Sequence, residues 1–327
     1  MDNIQLSFIQ HCQNKSKDQN LSLIISRLLN INRDAAYRRI RGETLLNIEE
    51  IMTLCTHFDI SFDTLIQNTP DQVVFSFQSL YNSQSLEDYL KGILSFLKLM
   101  QNSKDCHLTL IAMDMPIFRQ LGYQNLRDFM IYYWQKTVLQ SEEFKNVRFE
   151  LYETSTELNK LLLEISNTYF DIESTEIWSP ETLVSTLKRI QYYQEAGYFM
   201  NQESIALILN DVDLLLNQLK KESESGAKKR LSKHEEYQSP LYLFHSEVYL
   251  SNNMFQVFKD GRTYNYLTYN TINSLMSSAP QITSECNQWI EHIKRNSVLL
   301  SRVSQKYREY FFNQMFDQLN KIRTKLL

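Results

Sequence analysis

Arg33, Asp34, Tyr37, Arg38, Arg39 and Arg41 fall within one short stretch of the chain. A run of guanidinium groups suits phosphate oxygens and the edges of nucleobases, because its paired N–H donors match paired acceptors. At helical spacing Asp34, Tyr37, Arg38 and Arg41 share an outward arc, with Arg33 at the helix entry and Arg39 on the far flank. Ala36 and Ile40, four apart, point inward.

The remaining chemistry-bearing residues do not assemble into a catalytic pattern. The six glycines (42, 92, 122, 197, 226 and 261) never approach a G-x-G-x-x-G or phosphate-loop spacing. Asp171, Glu173 and Glu176 form the densest carboxylate group outside the arginine stretch, and they read as a loop before Trp178, serving a helix dipole or water. His11-Cys12 and Cys106-His107 lack a second half at metal spacing. There is no G-x-S-x-G elbow and no H-E-x-x-H helix, so the chain is expected not to be an enzyme and to need no cofactor and no metal. Cys12, Cys55, Cys106 and Cys286 are scattered and read as reduced thiols of a cytoplasmic protein. Trp178, Tyr192, Tyr193, Tyr198 and Phe199 crowd one region, which is either core packing or a pocket for a small-molecule effector.

Local signals predict the elements that must carry the arginines. Leu21, Ile24, Ile25, Leu28 and Leu29 recur at helical spacing, and Asn30-Ile31-Asn32 ends that helix. Asn32 is suited to cap a second, short helix from about 33 to 41, and Gly42 is suited to a left-handed stop. A third helix follows from about Asn47, with Ile48, Ile51, Met52, Cys55 and Phe58 as its apolar face. Ser61 then caps a last turn carrying Phe62, Leu65 and Ile66. Two helices joined by three or four residues make a helix-turn-helix unit, whose second helix enters the major groove.

Across roughly 45 residues this stretch resembles the lambda-repressor-like (Cro/C1, or XRE) helix-turn-helix family. Leu28-Leu29-Asn30-Ile31-Asn32 stands at the family's turn, and Arg41-Gly42 at the close of its recognition helix. Asp59-Ile60-Ser61-Phe62-Asp63 stands at its usual ending. Asn30 replaces the turn glycine, Ile40 a common glutamate, and Tyr37 a mid-helix serine, so the base preference is not readable. The resemblance implies a transcription regulator that binds double-stranded DNA through Arg33, Asp34, Tyr37, Arg38, Arg39 and Arg41.

Bulk charge does not announce such a partner. The 327 residues carry a formal charge of −4, and residues 1–67 hold seven Lys/Arg (15, 17, 27, 33, 38, 39, 41) against eight Asp/Glu (2, 18, 34, 43, 49, 50, 59, 63). Five of those seven bases lie between Arg27 and Arg41, so local clustering must supply the phosphate footprint, and a homodimer is expected. Hydrophobic content of 43% with only 6 Gly and 5 Pro favours a helix-rich chain. No run of membrane-spanning length is present, so no membrane partner is expected.

The expected organisation is a helix-turn-helix domain over 1–68, a linker over 69–84 and a helical regulatory and dimerisation domain over 85–327. Amphipathic or apolar helices are predicted from about 85, over 126–139, 157–170, 180–197, 202–222 and 284–294, and from 301 on. Residues 107–113 suit a buried strand or a hidden helix, and 222–233 a polar, flexible connection. Period-two patterning and Asp260-Gly261 predict a small antiparallel meander near 241–269. The fold class expected is mainly α, a lambda-repressor-like bundle plus a larger helical domain with that small sheet. The function expected is DNA-binding regulation, with the C-terminal domain dimerising and sensing an effector. The alternative is an interaction or scaffold protein in which Arg38, Arg39 and Arg41 dock an acidic protein surface.

Overall fold

Local side-chain caps set the limits of the helices at the N-terminus. These are α1 (Ile4–Lys15), α2 (Leu21–Leu28), α3 (Arg33–Ile40) and α4 (Ile48–Phe58). Asn20 and Asn32 cap α2 and α3, accepting from Leu23 N–H at 3.4 Å and Ala35 N–H at 2.8 Å. Asn47 and Glu50 cap α4 reciprocally, at 2.8 and 3.1 Å. Phe8, Ile9, Cys12, Leu21, Ile25, Ala36, Leu46, Leu54, Phe58 and Ile60 form the core of this unit. The apolar face of α4 is therefore narrower than its sequence suggests. Leu54 and Phe58 are buried, while Ile48 and Met52 stand in solvent.

The computed structural model describes residues 4–16, 20–58, 60, 72–77, 86–103, 105–150, 156–230, 238–248, 250, 252–270 and 273–327. The chain divides into two compact units, Met1–Val74 and Phe75–Leu327. The turn expected at 61–66 and the Asn68–Asp71 break lie outside the described residues.

The second unit corrects the expected fold class. It is not a helical domain with a small meander, because its described residues build a nine-stranded mixed sheet. In chain order its elements are β1 (Ser76–Phe77), α5 (Leu86–Gln101), β2 (Cys106–Ala112), α6 (Ile117–Gln120), α7 (Gln124–Tyr133), α8 (Thr156–Phe170) and β3 (Ser174–Trp178). There follow α9 (Glu181–Glu195), α10 (Gln202–Ser225), β4 (Ala227–Lys229), β5 (Gln238–Ser246), β6 (Met254–Lys259), β7 (Arg262–Asn270), β8 (Asn273–Ser277), α11 (Pro280–Arg295), β9 (Ser297–Leu299) and α12 (Gln305–Leu326).

The strand order is β1-β8-β7-β6-β2-β3-β5-β4, with β9 on β5. At the centre β2, β3 and β5 run parallel, joined by helical crossovers, as parallel strands require. The hairpin at Asp260-Gly261 and the meander β6-β7-β8 do form. But β5 does not join that meander, because β2 and β3 lie between β5 and β6. A central parallel strand is buried on both faces and short, so it leaves no alternation to read. All five residues of β3 are buried.

Residues 222–230 likewise depart from the expected flexible connection, since Gly226 closes α10 in the left-handed region and β4 pairs with β5. Residues 231–233 lie outside the described set. Ser76–Phe77, within the stretch read as a linker, pairs with β8. The stripe of α12 packs mainly on α10 and α9. It also reaches β5, where the Phe311 ring lies 4.9 Å from that of His245.

Candidate nucleic-acid interface

The turn between α2 and α3 is fixed by three local features. Asn30 takes φ of 52°, a left-handed value that asparagine tolerates. Ile31 N–H donates to Ser26 O at 3.0 Å, and Ser26 Oγ donates back to Ile31 O at 2.6 Å. The far end of α3 closes in a Schellman motif. Glu43 N–H reaches Arg38 O at 2.9 Å, Gly42 N–H reaches Arg39 O at 3.1 Å, and Gly42 has φ of 75°.

One clamp on α3 comes from a residue with no sequence signal. Gln5, on α1, donates to Arg39 O and Thr44 O, both at 2.8 Å, and accepts from Leu46 N–H at 2.9 Å. Only the fold brings a glutamine 34 residues away onto the end of α3.

The expected contact residues divide into two groups. Arg33, Asp34, Tyr37, Arg38 and Arg41 are exposed on α3 and its cap, while Ala36 is fully buried beneath them. Arg41 makes a solvent-exposed pair with Glu43 at 3.2 Å, which is weak and readily exchanged. Asp34 sits in the first turn, where its charge favours the helix N-terminus.

Arg39 is turned away from this group. Its Nε and Nη2 donate to the Glu50 carboxylate at 2.7 to 3.1 Å, tying α3 to the start of α4. That hydrogen bond holds the Glu50 carboxyl below its usual pKa, so the pair's contribution is present above ordinary carboxylate pH values and is lost as pH falls through the lowered value. Glu50→Ala should lower the stability of the small unit by about 2 kcal/mol, because it strands a half-buried guanidinium. Urea unfolding of the variant measures this, and a loss near zero would deny Arg39 its bracing role.

Asp171, Glu173 and Glu176 have three separate engagements, so they form no acid–base pair. Asp171 pairs with Arg230 and accepts from Gln101 at 2.5 Å. Glu173 lies 3.3 Å from His107, whose pKa is lowered by burial and raised in part by that carboxylate. Glu176 is fully buried on β3, not in a loop. It accepts from Arg119 at 2.6 to 3.2 Å, from Trp178 Nε1 at 3.0 Å and from the Tyr169 hydroxyl. Arg119 Nη1 also donates to buried Glu222 at 2.7 Å. Buried Lys228, on β4, donates to Tyr169 O at 3.0 Å and lies 4.0 Å from the Tyr169 ring centre. Glu176 and Glu222 share the Arg119 guanidinium, and Lys228 is held by the Tyr169 carbonyl, which is the arrangement of a structural brace.

Of the crowded aromatics, Trp178, Tyr193 and Phe199 belong to the core, while Tyr192 is exposed. Tyr193 and Phe199 pack edge-on or stacked against Phe129, at 5.4 and 5.5 Å, and Trp178 is fully buried. Among the described residues no group of three or more His, Cys, Asp or Glu side chains could hold a metal ion, and no helix is long and apolar enough to cross a membrane. Compared with protein-family models, with curated proteins and with solved structures, the chain matches none.

Proposed function

We propose that the chain is a sequence-specific DNA-binding regulator that reads the major groove with α3. The observation that carries this reading is the exposed set Arg33, Tyr37, Arg38 and Arg41, presented on a helix whose start, end and tilt are each fixed by named bonds. A helix held this way presents its donors in a set geometry, which base-edge recognition requires. Two copies are needed for useful affinity, because one α3 supplies few cations. In a homodimer joined through the larger unit, two such helices would meet half-sites about 34 Å apart, one turn of the duplex.

Selection from random duplex DNA by the purified full chain, at low salt, is expected to enrich a two-fold-symmetric site. Binding to that site should weaken steeply as salt rises. Arg38→Ala with Arg41→Ala should cost about 1 to 3 kcal/mol per lost base contact without changing the circular dichroism spectrum. If the double variant binds the selected site as tightly as the parent, α3 is not the reading helix. If no site is enriched, the DNA reading itself fails.

A further inference from the structure

The larger unit contains a cavity of about 480 Å3 between α5, the sheet face of β2 and β6 to β8, and the helices α6, α7 and α9. That size is within the range of small-molecule sites. Its walls are mostly apolar, including Ile93, Phe96, Leu110, Met130, Phe255 and Met276.

Trp134, Gln120 and Arg189 are among the residues that line this space, and each carries a polar group with few partners among the described residues. Trp134 and Gln120 are 3% and 2% exposed, and the Trp134 indole N–H and the Gln120 Oε1 have no hydrogen-bond partner among the described residues. Unsatisfied buried groups of this kind are uncommon and call for an explanation. Arg189 is half-buried. Its Nη1 approaches only the Met130 sulfur, at 3.5 Å, its guanidinium carbon lies 4.4 Å from the Tyr133 ring centre, and no described carboxylate pairs with it. The nearby acid, Asp114, is already engaged, since Asn253 donates to it at 3.3 Å and accepts from its N–H at 2.9 Å. Trp134 also opens a π-helical turn, Trp134–Val138, and such turns recur at functional sites.

We propose that this cavity binds a small amphipathic carboxylate, with an apolar body among the aliphatic and aromatic walls and its anionic group on Arg189. The site lies entirely within the larger unit, so it stands independently of the DNA-binding reading.

Titration calorimetry of the full chain with decanoate and with decan-1-ol tests the assignment. Decanoate is expected to bind, one molecule per chain, at least about tenfold more tightly than the alcohol. Arg189→Met should remove that preference, and Ile93→Trp, which fills the cavity, should abolish binding of both. Melting curves of the unliganded variants report that each is folded. Equal affinity for acid and alcohol would overturn the carboxylate assignment. Binding unaffected by Ile93→Trp would place the molecule elsewhere, and failure of both probes up to about 1 mM would overturn the site.

Discussion

Arg119→Met should lower the unfolding free energy of the larger unit by about 3 to 5 kcal/mol, because it removes one partner from a buried ionic network and leaves the others in place. Glu176 and Glu222 are both essentially inaccessible to water, and Arg119 is the donor they share. Without it two carboxylates remain in a region where neither can be hydrated. The loss should shrink at mildly acidic pH, where protonating one carboxyl relieves the repulsion. Urea unfolding followed by tryptophan fluorescence measures the effect. A loss under about 1 kcal/mol at neutral pH would mean that water or rearranged side chains replace the guanidinium.

The second large effect is a dependence of stability on pH. Burial pushes the Lys228 ammonium down from the ordinary 10.5 to about 7, with the charge of Glu176 opposing that shift. Between these values the unfolded chain holds a proton that the folded chain does not. Stability therefore rises as pH rises through the window, by up to about 1.4 kcal/mol per pH unit, and this contribution is lost as pH falls back towards 7. Lys228→Met should flatten that slope relative to the parent between pH 7 and 9, whatever it does to absolute stability. Parallel slopes for the two proteins would show that Lys228 stays charged when folded.

The small unit was largely legible in the sequence because its signals are local. Asn32 and Gly42 mark helix limits through bonds that span only a few residues. Its bracing was not legible, because Arg39 looks like its neighbours until Glu50, eleven residues on, is placed beside it. In the larger unit the failure has a different cause. Ser174–Trp178 carries a glutamate at its centre, and such a run reads as a loop unless the partner is known. That partner, Arg119, lies 57 residues earlier. The cavity was equally hidden, since its walls come from helices and strands spread over most of the unit. The aromatic cluster that did show in the sequence is mostly packed into the core, with Tyr192 left in solvent, and the cavity lies elsewhere.

The order of strands in the sheet also sets the order in which the two units can be completed during synthesis. Every bond that shapes α3 lies within the first 50 residues. Strand β2, by contrast, waits about 140 residues for its antiparallel neighbour β6, and β1 waits still longer for β8. At ordinary elongation rates that delay is on the order of ten seconds. For that interval the chain carries a finished α3 surface ahead of a sheet whose central edge is open to other strands. The nascent chain thus acquires its α3 surface before the cavity exists, and the period of greatest aggregation hazard falls between the two.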